Sequence, residues 1–137
     1  FGLFSSLSCP GAEEYLFIAG GVGITPFLSM LRQMHLDRQQ VRVTLLWFNQ
    51  TRDRRFLDSE LHQLTRELPL LHIQDIFTRE KGGGKPDFQE LSRRLSSCSR
   101  QAHCFICGPP KMMHDMRNRL VSLGFTRRRI HQERFAL

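Results

Sequence analysis

Tyr15-Leu16-Phe17-Ile18-Ala19-Gly20-Gly21-Val22-Gly23-Ile24-Thr25-Pro26 is a continuous apolar run that breaks into a three-glycine turn and then meets a threonine and a proline. Five consecutive apolar residues without alternation describe a strand buried on both faces, which is the signature of a central strand in a parallel sheet. Thr25 is a good helix N-cap and Pro26 suits a first helical turn, so a helix is expected immediately after the glycines. Glycine tolerates positive φ and lets a bulky anion approach the backbone without meeting a Cβ. The free amides and positive dipole end of the following helix would then face that anion, an arrangement suited to a pyrophosphate.

Working outward, Phe27, Met30, Leu31 and Met34 recur at helical spacing and mark a helix packed back on the sheet. Residues 41–48 read as a second strand. Leu57, Leu61, Leu64 and Leu68 outline the next helix, which Pro69 closes. A third strand over residues 71–77 carries polar Gln74 and Asp75, as at a sheet edge. Gly82-Gly83-Gly84-Lys85-Pro86 reads as a flexible connector. Asp87 with Glu90 forms a capping-box-like start for a short helix bearing Phe88, Leu91 and Leu95. Residues 103–107 make the fourth strand. The last helix carries Met113, Met116, Leu120 and Leu123, ends at Gly124, and leads to a fifth strand over residues 130–135. Strands alternating with amphipathic helices predict one α/β domain: a five-stranded parallel sheet with helices on both faces.

The end of the fourth strand repeats the grammar of the first. Cys107-Gly108-Pro109-Pro110-Lys111-Met112 is again an apolar run, a glycine turn and a proline at a helix start. If strands one and four are neighbours, the two turns line one crevice at a switch point, where open α/β sheets bind ligands. The usual dinucleotide fingerprint would have a third glycine or alanine where this chain has Pro26, so this is not its standard form.

Composition is compatible with that picture. The chain has 137 residues, 40% of them hydrophobic, and no apolar run of 18 residues, so it fits one domain with a real core rather than a membrane span. A formal charge of +7 favours an anionic partner. Nucleic acid is not expected, because the arginine clusters lack interleaved aromatics; the runs at 52–55 and 127–129 suit solvated faces. Four cysteines, at 9, 98, 104 and 107, do not make a disulfide ladder, and no signal peptide is read at the start, so a reducing, cytoplasmic compartment is expected. Cys104 and Cys107 are spaced to face opposite sides of the sheet, and no metal site is expected.

The set G-G-x-G-I-T-P, then C-G-P about eighty residues later, then Glu133-Arg134-Phe135, resembles the ferredoxin-NADP reductase superfamily. The nearest flavours are cytochrome b5 reductases, flavohaemoglobin and phenol-hydroxylase-type reductases, and bacterial ferric reductases. Phe48-Asn49-Gln50-Thr51 resembles the adenosine-side segment of the b5 reductase group. The resemblance implies an NAD(P)H-binding lobe with strand order 3-2-1-4-5, whose FAD-binding barrel precedes Phe1 in the same polypeptide. That parent would be cytosolic, or on the cytosolic side of a membrane anchor. Hydride would pass from NAD(P)H to FAD, and electrons then to a haem, an iron-sulfur centre or ferric iron.

Carried over, Gly20, Gly21 and Gly23 meet the pyrophosphate, with Thr25 and Pro26 toward the nicotinamide end. Asn49, Thr51 and Arg52 serve the adenosine side. Cys107, Gly108 and Pro109 line the place where nicotinamide meets flavin, Glu133 sits near hydride transfer, and Phe135 covers the flavin ring. The resemblance leaves open a core role for Cys107 and Phe135 and a solvent-facing one for Glu133. Arg52, Arg54 and Arg55 supply charge for a 2′-phosphate and so favour NADPH; Asp53 is the local acidic candidate for NADH. A nucleotide-sensing module without a flavin lobe is the alternative reading.

Overall fold

The computed structural model describes residues 11–79 and 87–134. The Gly82-Gly83-Gly84 connector, Cys9, Phe135 and the Phe1-Gly2 start lie outside them. Five strands, β1 (Glu14–Gly20), β2 (Arg42–Asn49), β3 (Leu71–Phe77), β4 (His103–Gly108) and β5 (Ile130–Arg134), form one sheet in the order β3-β2-β1-β4-β5. Every neighbouring pair is parallel. The expected central position of the first strand and edge position of the third are both observed.

Four α-helices connect the strands: α1 (Thr25–Leu36), α2 (Asp58–Glu67), α3 (Phe88–Arg94) and α4 (Pro110–Ser122). The period-2 geometry of β1 divides its side chains between two cores. Tyr15, Phe17 and Ala19 join Phe27, Leu31, Leu61 and Leu64 beneath α1 and α2. Leu16 and Ile18 join Leu91, Met113, Met116 and Leu120 beneath α3 and α4. The same alternation separates the C-x-x-C pair, with Cys107 in the first core and Cys104 in the second.

Local signals explain most helix ends. The Asp87 carboxylate accepts a hydrogen bond from the Glu90 amide at 2.7 Å, the N-cap half of a capping box. Gly124 follows α4 with φ of +97°, a left-handed stop that glycine adopts without strain. The helix after β1 differs from expectation. Residues Gly21–Ile24 coil into a 3₁₀ turn that runs straight into α1, and Thr25 is the first α-helical residue rather than its N-cap. The Thr25 hydroxyl instead donates back to the Val22 carbonyl at 3.2 Å. The cause is Gly21, whose φ of +54° turns the chain into a helical path one turn earlier than a side-chain cap at Thr25 would require.

Candidate functional site

The carboxyl ends of β1 and β4 meet where the sheet reverses winding direction, and the two glycine turns touch there. A Cβ on Gly23 would lie 2.3 Å from the Cys107 carbonyl oxygen and 3.2 Å from the Gly108 Cα. On Gly108, a Cβ would fall 3.0 Å from the Met112 Sδ and 3.2 Å from the Gly20 nitrogen. On Gly20 it would sit 3.1 Å from the Pro109 Cδ. Only glycine allows this approach of two backbones, so the crevice is a product of both motifs at once. The Met112 side chain lies against both turns, beside Gly20 and Gly108.

Because coiling begins at Gly21, the amides without an intrahelical partner belong to the start of the 3₁₀ turn, not to Thr25. The 3₁₀ turn thus carries Gly21 and Gly23, with Val22 exposed between them. Pro26 is buried in the first turn of α1. Across the crevice, Pro109 is the N-cap of α4 and Pro110 its first residue, so a second helix N-terminus opens onto the same space.

The end of β2 lies beside the end of β1, with Phe48 in register with Gly20. Asn49 is buried, and its carboxamide nitrogen finds no hydrogen-bond partner among the described residues. Thr51 donates its hydroxyl to the Asp53 carboxylate, and that bond is the main reason the Asp53 carboxyl sits below its ordinary range. Arg52 lays its guanidinium over the Phe77 ring, 4.6 Å from the centroid, at the end of β3. The three arginines are not equivalent. Arg55 is held by Asp75 and Asp58, each at 2.9 Å, whereas Arg52 and Arg54 are exposed.

At β4 and β5, Cys107 is wholly buried, with its thiol in the α1 core and only its backbone at the crevice. Burial, with a smaller contribution from the Glu133 charge, pushes that thiol up to about 11. Glu133 pairs in register with Cys107 and is half-buried. The structure thus brings together Gly20, Gly21, Gly23, Gly108, Pro109 and the Cys107 backbone; Asn49, Thr51 and Arg52 stand at the end of β2. Phe135 lies outside the described residues.

The apolar pattern of β2 assigns Trp47 entirely to the core. It is fully buried, but its indole N–H also donates to the Gly21 carbonyl at 2.9 Å. The available signal was chemical: a buried tryptophan usually finds a partner for its N–H.

A doubly wound sheet with two glycine turns converging at its switch point defines a dinucleotide-binding α/β domain. The profile of the oxidoreductase NAD-binding domain matches residues 17–118. The chain belongs to that family. It is 30% identical over 137 residues to the carnitine monooxygenase reductase subunit of Escherichia coli, covering 93% of this chain and 37% of that protein. Against NADH-cytochrome b5 reductase 1 of Candida glabrata it is 29% identical, covering 86% of this chain and 45% of the relative. A crystal structure of flavohemoglobin from Malassezia yamatoensis with bound FAD and heme superposes with a TM-score of 0.81 at 25% identity, over 97% of this chain and 34% of that one. The chain therefore spans less than half the length of these relatives.

Proposed function

We propose that this chain is the NAD(P)H-binding lobe of a flavin-dependent oxidoreductase. It would work with an FAD-binding lobe of the same polypeptide and, through it, deliver electrons to a haem, iron-sulfur or ferric acceptor. The observation that carries the reading is the close approach of Gly23 to the Cys107 carbonyl, which brings the coil after β1 and the N-terminus of α4 to one crevice. Relatives whose names join NADH, FAD and haem to the same fold support it.

Hydride transfer asks the protein for orientation and exclusion of water rather than for a nucleophile. The amides of Gly21 and Val22 hold the pyrophosphate, and no Cβ intrudes at Gly20, Gly23 or Gly108. The backbone of Cys107 and Gly108, with Pro109, forms the floor beneath the nicotinamide. Glu133, one strand over, faces the same end. The other lobe would hold FAD, which would supply hydride-accepting and one-electron chemistry. Arg52 and Arg54 supply the cations for a 2′-phosphate, and Asp53 is already engaged by Thr51, which supports NADPH over NADH. Buried free thiols at Cys98, Cys104 and Cys107 support a cytosolic setting, whether or not the parent carries a membrane anchor.

Stopped-flow mixing of the intact flavin-containing parent with NADPH or NADH tests this reading. Rapid loss of oxidised-flavin absorbance is expected; no bleaching with either nucleotide would sink it.

A further inference from the structure

We infer that Trp47 is a positioning residue for the pyrophosphate-binding turn, setting the direction of the Val22 amide through the Gly21 carbonyl. The inference rests on the nucleotide-binding reading above. Trp47 and Ala19 are register partners on adjacent strands and share the α1 face. The small Ala19 leaves the indole room to reach past the end of β1, where its N–H meets the Gly21 carbonyl at 2.9 Å.

The peptide between Gly21 and Val22 is planar, and the described chain has no cis bonds, so its C=O and N–H point in opposite directions. A carbonyl turned inward to the indole therefore turns the Val22 N–H outward. Val22 is 53% exposed, so this part of the turn is open to a ligand. Gly21, at φ of +54°, has a conformational freedom that other residues lack, and the bond removes it.

The ring is itself held in place. Phe56 packs edge-on against it at 5.5 Å between centroids, and the Arg55 guanidinium lies 5.2 Å from its centroid. Arg55 is anchored in turn by Asp58 and Asp75. A phenylalanine would fill most of the same volume; the N–H is what makes tryptophan specific here. Through this chain of contacts, the loop that follows β2 and the phosphate turn that follows β1 are held in one geometry.

Calorimetric titration of the full chain and two variants tests the inference. Trp47→Phe removes the donor with some loss of volume; replacing Trp47 by 3-benzothienylalanine removes it with the shape kept. The probes are ADP-ribose, which carries the pyrophosphate, and adenosine 2′-monophosphate, which has no 5′-phosphate. Both variants should weaken ADP-ribose about five- to tenfold, the scale of one oriented hydrogen bond, and leave adenosine 2′-monophosphate within about twofold. Equal weakening of both probes would mean general loosening, and unchanged ADP-ribose affinity would mean that the N–H orients nothing; either overturns the inference. Failure of the unsubstituted chain to bind ADP-ribose would instead remove the nucleotide reading and this inference together.

Discussion

Gly23 and Cys107 are so close that a single methyl group on the glycine would fall 2.3 Å from the cysteine's carbonyl oxygen. The obstacle is backbone, which cannot rotate aside, so Gly23→Ala must push β4 and the first turn apart. Overpacking of this kind costs about 1 to 3 kcal/mol. Urea denaturation should show that loss, and ADP-ribose affinity should fall at least about tenfold because the crevice widens. Native affinity in a stable Gly23→Ala variant would mean that the two turns need not touch to bind nucleotide.

Arg52 and Phe77 make a stacked pair at the end of β2 and β3. In the intact parent, Arg52→Ala should lower kcat/KM for NADPH relative to NADH by about tenfold or more, the usual scale of a charge-assisted bond to phosphate. An unchanged ratio of the two specificity constants would take this arginine out of cofactor choice.

The thiols set an alkaline limit on stability. Burial pushes Cys104 up to about 12 and Cys107 up to about 11 from an ordinary value of 9.0. Between pH 9 and those values the unfolded chain has released protons that the folded chain still holds, so unfolding becomes easier as pH rises. Below about pH 8 these two groups should add no pH dependence to stability, which should fall above pH 9. A Cys104→Ala/Cys107→Ala double variant should show a shallower fall in urea midpoint from pH 9 to 11 than the parent chain. Thiol-disulfide reagents at pH 8 should label both cysteines only as fast as the core opens.

Asp87 caps α3 through the Glu90 amide. Replacing it with alanine should cost about 1 kcal/mol, read as a lower urea midpoint with an unchanged slope.

The fold is legible in the sequence because each of its devices is local. A run of five apolar residues requires two covered faces, and leucines at three- and four-residue steps require a helix; neither depends on distant partners. The strand order needs more, since periodicity does not say which strands are adjacent, and it comes from family resemblance. At the site, the glycines are readable because their freedom is intrinsic. Thr25 has the pattern of a cap without being one, because a threonine before a proline looks the same whether or not a preceding glycine has already begun the coil. Trp47 reads only as bulk, since the length of its reach to Gly21 depends on Ala19, its neighbour across the sheet rather than along the chain. Likewise, no pattern distinguishes Arg55 from Arg52; only their contacts with Asp75 and Phe77 do.

The two turns belong to opposite halves of the chain, and β4 lies against β1 on the side away from β2 and β3. Neither turn alone encloses anything. A crevice for a dinucleotide therefore exists only where β4 lies against β1, and a bound nucleotide would favour the completed sheet over any partly assembled form by mass action. Nucleotide supply would then influence how much of the domain survives in the cell as well as how fast it turns over.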